Sequence, residues 1–375
     1  MEIIHLLFTR NTKAKMTPLV DIIHQMATEQ VKIGYDITVW HIGSKQIDLF
    51  NNKAYKLKYF GTNLFVWNTV QKMLKHIDSL NKQTIVHVHG GIFPIYYPIL
   101  FHLNSKGIPF ILSPHGRYNS YALEKGSYLK RKHFDNFDAN IIQWATAIHF
   151  RSEYERNELM RHCQFDLQKS YIIPIGLINN NIDIAPKIMK HDEIIYCFYG
   201  ELNIAEMGID ILLYGFAKFK KQQANNAILW IMGNGKDRNA ILKLIKKLGL
   251  HKYVFLKPAV FGALKFEQLS KIDIMVRCAR LDYAPSVVLE SAAMSIPSIV
   301  SENTYLVDLI KNANAGYTLT KNTSDELMQV FTESLKDIET VHWNRKKLNA
   351  HQMVINACSW NKIAREQLEV YKGLI

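Results

Sequence analysis

The amino-acid sequence predicts an α/β protein with two domains, each built on a doubly wound parallel sheet. Short apolar runs ending in Gly, His or Ser alternate along the chain with longer segments of helical period. Such alternation is typical of strands and helices that succeed each other in a parallel sheet. The pattern is interrupted by the polar, Asn-rich residues 179–192 and then starts again. Because 375 residues are many for one hydrophobic core, we expect two domains joined by a linker at 179–192.

The first predicted domain spans residues 1–178. Its opening run, "EIIHLLF", is strand-like, and residues 18–34 carry apolar side chains at helical spacing. The same criteria assign the remaining elements of this half. Its further predicted strands are "DITVWHIG", "TIVHVHGG", "PFILSPHG", "ATAIHFRS" and "SYIIPIG", and its further predicted helices are "PIYYPILFHLNSKG" and "EYERNELMRHC".

The second predicted domain spans residues 193–358 and repeats the alternation. Residues 193–200 form a strand-like run, and residues 208–222 follow with apolar positions at helical spacing. Ligands of doubly wound sheets bind at the carboxyl ends of the strands, so the active site is expected there, in a cleft between the domains. The later segments of this domain are "AILWIMGNG", "NAILKLIKKLG", "YVFLKPA", "IDIMVRC", "SVVLESAAMS" and "PSIVS".

Composition restricts the class of protein. A formal net charge of +13 indicates an anionic partner, for which nucleic acid, anionic lipid and phosphorylated metabolites all qualify. No apolar run approaches the roughly 18 residues that span a bilayer, and the N-terminal apolar run is too short for a signal peptide. The four cysteines form no Cys-x-x-Cys pair, which speaks against a zinc knuckle or a disulfide framework. We expect a cytoplasmic protein.

Two acids in the second half are candidate site residues. In "DYAPSVVLE", Asp282 and Glu290 have seven residues between them, a spacing that does not place both on one side of a straight helix. A loop that turns into a helix near Pro285 fits better, because proline is well tolerated in a first helical turn. The alternative is that Asp282 caps this helix and Glu290 is solvated.

Histidines mark the strand ends of the first half. His115 follows the apolar run "PFIL" and precedes Gly116, which places it at the carboxyl end of a strand. A lone histidine of this kind is often structural, so both readings stay open. His87 and His89 share one face of their strand, but no third ligand lies near them in sequence. We therefore expect no metal.

The ordered series of motifs resembles the retaining glycosyltransferases of the GT-B fold, specifically family 4, typified by capsule, lipopolysaccharide and teichoic-acid sugar transferases. The similarity covers nearly the whole chain. The segments that carry it are "SPHGRYNSYALEKGSYLKRKHF", "AIHFRSEYERNEL", "IIPIGL", "FYGELNIAEMGIDILLYGF", "LWIMGNGKDRNAILKLIKKLGL", "IDIMVRCARLDYAPSVVLESAAMSIPSIVS" and "SWNKIAREQLEVYKGL".

The resemblance implies a fold, a substrate and roles for residues. The fold would be two Rossmann-like domains facing a central cleft, with a terminal helix at 359–375 that crosses back onto the first domain. The substrate would be a nucleoside diphosphate sugar, and the family needs neither a cofactor nor a metal. Glu290 would hold the donor ribose, while His115 and Asp282 would lie beside the transferred sugar. A carboxylate suits ribose because its oxygens accept hydrogen bonds from two vicinal hydroxyls.

This chain departs from the family at the donor phosphates. Glu201 and Met207 stand where the family usually has an Arg and a Lys. A carboxylate beside a diphosphate would repel it, so Glu201 is expected to point elsewhere. Replacement groups are the cations Arg277 and Arg280 and the backbone N–H groups of a helix start. The other predicted donor-binding residues are Gly200, Gly233, Ser286 and Val287.

A basic, aromatic segment suggests where an acceptor would bind. Lys130, Arg131 and Lys132 could lie against anionic lipid or a lipid-linked saccharide, or simply form a solvated helix face. No nucleic-acid recognition motif accompanies them. We expect a peripheral position at the inner face of the plasma membrane. Three hypotheses remain: a hexosyl-type transferase acting on a glycan or lipid-linked acceptor, a catalytically inactive GT-B subunit that binds acceptor or a partner transferase, and a sugar-nucleotide epimerase.

Overall fold

The structure is a computed structural model that describes most of the chain in two compact units. The N-terminal unit comprises Met1–Ile178 with Ser359–Ile375, and the C-terminal unit comprises Asn179–Cys358. The predicted linker, 179–192, lies outside the described residues. The described ranges are 1–9, 18–47, 54–62, 66–91, 93–124, 128–177, 193–222, 226–282, 285–338 and 340–375.

The N-terminal unit is built on a seven-stranded parallel sheet of order β3-β2-β1-β4-β5-β6-β7. The strand order reverses between β1 and β4, whose carboxyl ends therefore form the ligand edge of this sheet type. The strands are β1 (Glu2–Thr9), β2 (Asp36–Gly43), β3 (Lys56–Gly61), β4 (Thr84–His89), β5 (Phe110–Ser113), β6 (Ala147–Phe150) and β7 (Ser170–Ile172).

Helices cover the sheet of the N-terminal unit because its strands are apolar on both faces and must be shielded on both. A five-residue π-helical segment, Phe134–Asp138, links the fifth and sixth helices. The helices are α1 (Pro18–Lys32), α2 (Val66–Ile77), α3 (Tyr96–Ser105), α4 (Ser120–Glu124), α5 (Tyr128–His133), α6 (Ala139–Trp144) and α7 (Glu153–Met160).

The C-terminal unit repeats the architecture with a six-stranded parallel sheet of order β10-β9-β8-β11-β12-β13. Here the order reverses between β8 and β11. The strands are β8 (Ile194–Tyr199), β9 (Ala227–Met232), β10 (Val254–Lys257), β11 (Ile274–Arg277), β12 (Ser298–Ser301) and β13 (Gly316–Leu319). The helices are α8 (Ile204–Met207), α9 (Ile209–Gln222), α10 (Arg238–Lys247), α11 (Ala263–Leu269), α12 (Ser286–Ala293), α13 (Val307–Asn312), α14 (Ser324–Asp337) and α15 (Val341–Ala357).

The last helix, α16 (Trp360–Lys372), belongs to the N-terminal unit. It packs along α1, and its Leu368 and Tyr371 join the buried apolar cluster beneath that helix. The Trp360 indole lies against Gly176, where a Cβ would stand 2.5 Å from the ring. Only glycine leaves room for the indole at this position, so the close approach of Trp360 explains Gly176.

The predicted fold class, two doubly wound parallel sheets, is confirmed. The sequence patterns assigned no element to the strands β3 and β13 or to the helices α2, α6, α8, α11 and α13 to α15. Strand β3 is an edge strand with mostly half-buried side chains, which weakens its apolar signal. None of the described helices is both long and apolar enough to cross a bilayer.

Candidate functional site

The Pro-His-Gly turn after β5 holds the first candidate residue. His115 adopts a left-handed backbone with φ of 52°, and Gly116 follows with φ of 76°. A left-handed non-glycine residue costs conformational energy and persists only where the surroundings enforce it. The His115 side chain is buried. The turn thus fixes the imidazole at the carboxyl edge of the sheet.

The Ser-Glu-x-Glu motif enforces this turn. Ser152 caps α7 by accepting a hydrogen bond from the Glu155 N–H at 3.1 Å. The Glu155 carboxylate accepts hydrogen bonds from the backbone N–H groups of Gly116 and Arg151. It also pairs with the Arg151 guanidinium at 3.3 Å, and both side chains are buried. A motif that the sequence analysis could only compare with a family therefore has a physical role, which is to hold the backbone beside His115.

Behind His115 lies a buried group of histidines, defined here as the histidine cluster. In the register of the sheet His5 is the partner of His87, so β1 brings a third imidazole to His87 and His89. Ring atoms of these three residues lie close enough to one another to share a metal ion. This third imidazole could not be predicted from the sequence near His87 and His89, because His5 is distant along the chain. The full cluster is His5, His87, His89, His115 and His149.

Every ring nitrogen of the three metal-compatible histidines is already hydrogen-bonded. His5 contacts Gln30 at 2.7 Å and His89 at 2.9 Å. His89 contacts His115 at 3.0 Å through its other nitrogen. His87 uses its two nitrogens for Ser113, at 2.6 Å, and for Tyr371. A metal would have to displace these bonds, so the donor set fits a hydrogen-bond network better than a metal centre.

The terminal helix completes the histidine cluster. The Tyr371 hydroxyl from α16 contacts His87, and Gln367 reaches His149 at 3.3 Å. His149 in turn donates from Nε2 to the carbonyl oxygen of Ile173 at 2.8 Å. These contacts tie α16 to the strand ends of its own unit. Tyr371 and Gln367 were not predicted as partners of these histidines, since nothing in the sequence pairs positions so far apart.

Burial keeps the histidine cluster neutral. It lowers the pKa of His5 and of His149 to about 4. It also lowers the pKa of His87, His89 and His115 well below the ordinary value, and repulsion from neighbouring imidazoles or arginines adds to the effect. At neutral pH each ring therefore carries one N–H and one lone pair.

In the C-terminal unit, two glycines allow strand ends to approach each other closely. A Cβ on Gly233 would stand 1.8 Å from the Gly200 carbonyl oxygen, and a Cβ on Gly200 would stand 2.3 Å from Nη1 of Arg277. Gly200 and Gly233 were predicted as donor-binding residues. Their packing alone requires glycine, and their position after β8 and β9 places them at the ligand edge of the sheet.

Arg277 and Asp282 form a buried ion pair at the end of β11. Nε of Arg277 donates to Oδ2 of Asp282 at 2.6 Å, and its Nη1 donates to the Tyr199 carbonyl oxygen at 2.8 Å. The exposed fractions of the two side chains are 7% and 4%. Pro285 holds the cap position of α12 without a side-chain bond, and the Asp282 carboxylate pairs with Arg277. Arg277 and Asp282, which were predicted separately, thus form one ion pair.

Glu290 lies on α12 and is buried, so the solvated alternative is wrong. Its carboxylate pairs with Lys265 of α11, whose ammonium also lies 5.0 Å from the centre of the Tyr199 ring. Lys265 was not predicted from the sequence, because it is one lysine among many and its helix carries no motif. The helix start does fall where the sequence predicts it: Ser286 opens α12, and Val287 is buried in its first turn.

The structure also places the residues that break the family pattern. Met207 is buried in the apolar core of the C-terminal unit, where a lysine would be unfavourable. Glu201 is exposed. Arg280 pairs with Asp210 of α9 at 2.8 and 2.9 Å and donates to the Ile204 carbonyl, so its guanidinium is directed at α8 and α9. Its predicted phosphate role would require release from Asp210.

The predicted acceptor residues lie on α5. Lys130 and Lys132 are exposed, whereas Arg131 pairs with Asp135 at 3.1 Å and contacts His162 at 3.0 Å. Two large apolar side chains on the same short helix, Tyr128 and Leu129, have exposed fractions of 76% and 73%. The surface of α5 therefore carries two exposed lysines beside two exposed apolar side chains, whereas Arg131 is held by contacts within the protein.

Comparison with known proteins agrees with this architecture. The family model for glycosyltransferase family 4 matches residues 21–178, and the model for glycosyl transferases group 1 matches residues 180–349. An uncharacterized glycosyltransferase of Methanocaldococcus jannaschii is 29% identical over 192 residues, which cover 49% of this chain and 46% of that protein. The present chain thus matches about half the length of that curated relative.

Solved structures extend the similarity over the whole chain. A glycosyltransferase from Rickettsia africae superimposes with a TM-score of 0.74 at 16% identity, covering 100% of this chain and 98% of that one. Anabaena Alr3699/HepE in complex with UDP gives 0.75 at 12% identity, with 100% of both chains covered. WaaG, a glycosyltransferase involved in lipopolysaccharide biosynthesis, gives 0.67 at 15% identity, with 99% and 100% covered.

Two Rossmann-like units, each with its candidate residues at the carboxyl edge of a parallel sheet, define a protein of the GT-B class. The two family models match consecutive parts of the chain, one in each unit, and together extend over most of it. The chain belongs to the family 4 glycosyltransferases.

Proposed function

We propose that the protein is a retaining, hexosyl-type glycosyltransferase that uses a nucleoside diphosphate sugar. The acceptor is a hydroxyl of a glycan or lipid-linked saccharide in surface polysaccharide or glycoconjugate synthesis. The observation that carries this proposal is the placement of Asp282 and Glu290, two buried acids at either side of the α12 start, next to the carboxyl end of β11. Family membership supplies the reaction class.

In the proposed reaction the bond between the anomeric carbon and the donor phosphate breaks, and a bond to the acceptor hydroxyl oxygen forms on the same face. The acceptor proton passes to a phosphate oxygen of the departing nucleoside diphosphate. No cofactor enters this balance. Negative charge grows on the diphosphate, so groups that bind it must be stronger partners in the transition state than in the ground state.

Residues of this chain have distinct tasks in that scheme. Glu290 accepts from the ribose hydroxyls, and the first-turn N–H groups of Ser286 and Val287 donate to a phosphate. Arg277 supplies positive charge at the end of β11 in place of the two missing family cations. Asp282 holds the Arg277 guanidinium and lies beside the sugar, while His115 contacts a hydroxyl of the sugar.

A ligand-binding screen would identify the donor nucleotide. Anabaena HepE has been solved with UDP, with UDP and glucose, and with UDP-glucose, which makes UDP the first nucleotide to test. A panel of UDP, GDP, ADP and their sugars would be screened by thermal shift. A ligand at 100 times its dissociation constant stabilises the protein by about 2.7 kcal/mol. Binding of none of these nucleotides would contradict the proposal.

A Glu290→Gln variant tests the ribose contact. Loss of charged hydrogen bonds, each contributing about 1.5–3 kcal/mol, should weaken nucleotide affinity roughly 10- to 100-fold. Isothermal titration with the nucleotide found in the screen measures this change. Glu333→Gln, an exposed acid on α14 of the same unit, is the matched control and should bind like the unmodified protein. Equal affinity of both variants would remove Glu290 from the donor site.

A second function is favoured by Met207 and Glu201. With a buried methionine and an exposed acid at the family's cation positions, the protein could bind acceptor or a partner transferase without turnover. Incubation of the purified protein with donor sugars separates the hypotheses. Released nucleoside diphosphate supports the transferase, absence of both nucleotide binding and turnover supports the inactive subunit, and an epimerised donor without acceptor supports an epimerase.

The exposed side chains of α5 lead us to propose that this helix contacts anionic lipid at the inner face of the plasma membrane. Exposed Tyr128 and Leu129 would enter the interface, and Lys130 and Lys132 would pair with lipid headgroups. The variant Tyr128→Ser/Leu129→Ser should lose most flotation with vesicles containing phosphatidylglycerol. Leu348→Ser, at an exposed leucine of α15, should float like the original protein. Equal flotation of all three proteins would exclude α5 as the contact.

A further inference from the structure

A continuous line of hydrogen bonds runs through the N-terminal unit and ends at His115. It begins at Oε1 of Gln30 on α1, which lies 2.7 Å from Nε2 of His5. Nδ1 of His5 lies 2.9 Å from Nε2 of His89. Nδ1 of His89 then lies 3.0 Å from Nε2 of His115. Each residue of the line is buried.

The last atom of the line differs from the others. Nδ1 of His115 is buried and has no hydrogen-bond partner among the described residues. Leaving a buried polar group unpaired is unfavourable, and such groups in a folded protein call for an explanation. The His115 ring is held by burial and by the contact of its Nε2 with His89, and its left-handed backbone is held through Gly116 and Glu155.

The direction of the hydrogen bonds along the line follows from the Gln30 amide oxygen, which lies at its start. An amide oxygen only accepts, so the Gln30 contact requires the N–H of His5 on Nε2. A neutral imidazole has one N–H, which leaves Nδ1 of His5 as an acceptor for the N–H of His89. By the same step Nδ1 of His89 accepts from Nε2 of His115. Burial keeps all three rings neutral, so no ring carries a second N–H that would reverse the order of donors and acceptors along the line.

We propose that Gln30, His5 and His89 are positioning residues that fix His115 in the Nε2–H tautomer, with its Nδ1 as an unprotonated acceptor for a hydroxyl of the bound sugar. The identity of the hydroxyl donor rests on the proposed function, whereas the tautomer does not. A free histidine exchanges between two tautomers, only one of which accepts at Nδ1. A fixed tautomer removes the donor alternative before the ligand arrives, which is a form of preorganisation.

The tautomer is measurable without any ligand. Two-bond nitrogen–proton correlation spectra of the full-length protein labelled with ¹⁵N-histidine distinguish protonated from unprotonated ring nitrogens, and a His115→Asn variant assigns the His115 signals. We expect Nδ1 of His115 in the unprotonated range and Nε2 in the protonated range at pH 7.5. The opposite assignment, or averaged shifts that report a mixture of tautomers, would overturn the proposal.

A substitution of Gln30, at the far end of the line, tests whether the line fixes the tautomer of His115. In Gln30→Leu the acceptor for His5 is gone, so the His115 shifts should move toward the average of the two tautomers. Gln367→Leu is the matched control, because Gln367 is equally buried in the same unit but lies outside the line. His115 should keep its shifts in that variant. Unchanged His115 shifts in Gln30→Leu would assign the tautomer to another cause and overturn the positioning role; if that variant does not fold, the unmodified protein still decides the tautomer.

Kinetics separate this inference from the proposed function. With an active donor, Gln30→Leu should lower kcat/KM about 2-fold, because roughly half of the molecules then hold the tautomer that accepts at Nδ1, and Gln367→Leu should not lower it. If no nucleotide sugar is turned over, the proposed function fails while the nuclear magnetic resonance result still decides the tautomer. An unchanged kcat/KM in Gln30→Leu would contradict the hydroxyl contact at Nδ1.

Discussion

Replacing Arg277 with Met should destabilise the protein by about 3–5 kcal/mol, because a buried carboxylate without its partner is strongly unfavourable. Asp282 would lose a hydrogen bond of 2.6 Å, and the Tyr199 carbonyl would lose one of 2.8 Å. For a unit of this size, 1 kcal/mol corresponds to about 2–4 °C, so the thermal transition of the C-terminal unit should fall by roughly 6–20 °C. Calorimetry of the full chain measures it.

A matched ion pair in the same unit provides the control. Arg280 and Asp210 are joined at 2.8 Å, like Arg277 and Asp282, but their side chains are 27% and 30% exposed. Partly exposed pairs contribute about 1 kcal/mol or less, so Arg280→Met should shift the transition far less. The double variant Arg277→Met/Asp282→Asn should recover part of the loss, since the uncompensated charge is gone. Equal shifts for the two arginine variants would show that burial does not decide the strength of these pairs.

Lowering the pH from 7.5 to 5 should also destabilise the protein strongly through the histidine cluster. Burial lowers the folded-state pKa of His5 and His149 to about 4, below the unfolded value of 6.5. Below pH 6.5 the unfolded chain binds protons that the folded chain does not. The contribution of these histidines to the free energy of unfolding is therefore complete above this pH and is lost as pH falls toward 4. Each histidine that stays neutral at pH 5 contributes a loss of roughly 2 kcal/mol.

Denaturant titrations at a series of pH values measure this dependence. Carboxylates affect stability in the same direction, so the cluster must be isolated by variants. His5→Gln should reduce the slope of unfolding free energy against pH between 5 and 6.5 by up to one proton. His251→Gln, at an exposed histidine outside the cluster, should leave the slope unchanged. Identical slopes for the two variants would mean that His5 is not the neutral, buried group that the structure places beside Gln30.

Local signals in the sequence predicted most of the fold. The parallel strands follow from short apolar runs, and the two sheets follow from the repetition of the pattern after residues 179–192. The start of α12 at Ser286 follows from Pro285. Edge strand β3 was not predicted, because its side chains are mostly half-buried and the contrast between apolar and polar positions is weak.

The candidate residues were predicted one at a time, without their partners. His115, Asp282 and Glu290 were found because strand ends and motif order mark them. No such mark identifies Lys265, which pairs with Glu290, or the supporting residues His5 and Arg151. His5 acts on His115 through His89, and Arg151 pairs with the Glu155 carboxylate that holds the backbone after His115. One signal was nevertheless available for His5. It is a polar residue inside the apolar run "EIIHLLF", where a buried imidazole needs a hydrogen-bond partner from a neighbouring strand.

The sequence alone determined which residues stand at the carboxyl ends of strands, because the apolar period and the end of each apolar run are local properties. Through the resemblance to the family it also predicted that Glu201 and Met207 stand where two phosphate-binding cations are usual. Only the tertiary structure decided which charges are paired and which imidazoles share protons. Ion pairs such as Lys265 with Glu290, and the line from Gln30 to His115, join residues that are distant along the chain. Their energies depend on distance and burial, and these quantities exist only after the sheets have assembled.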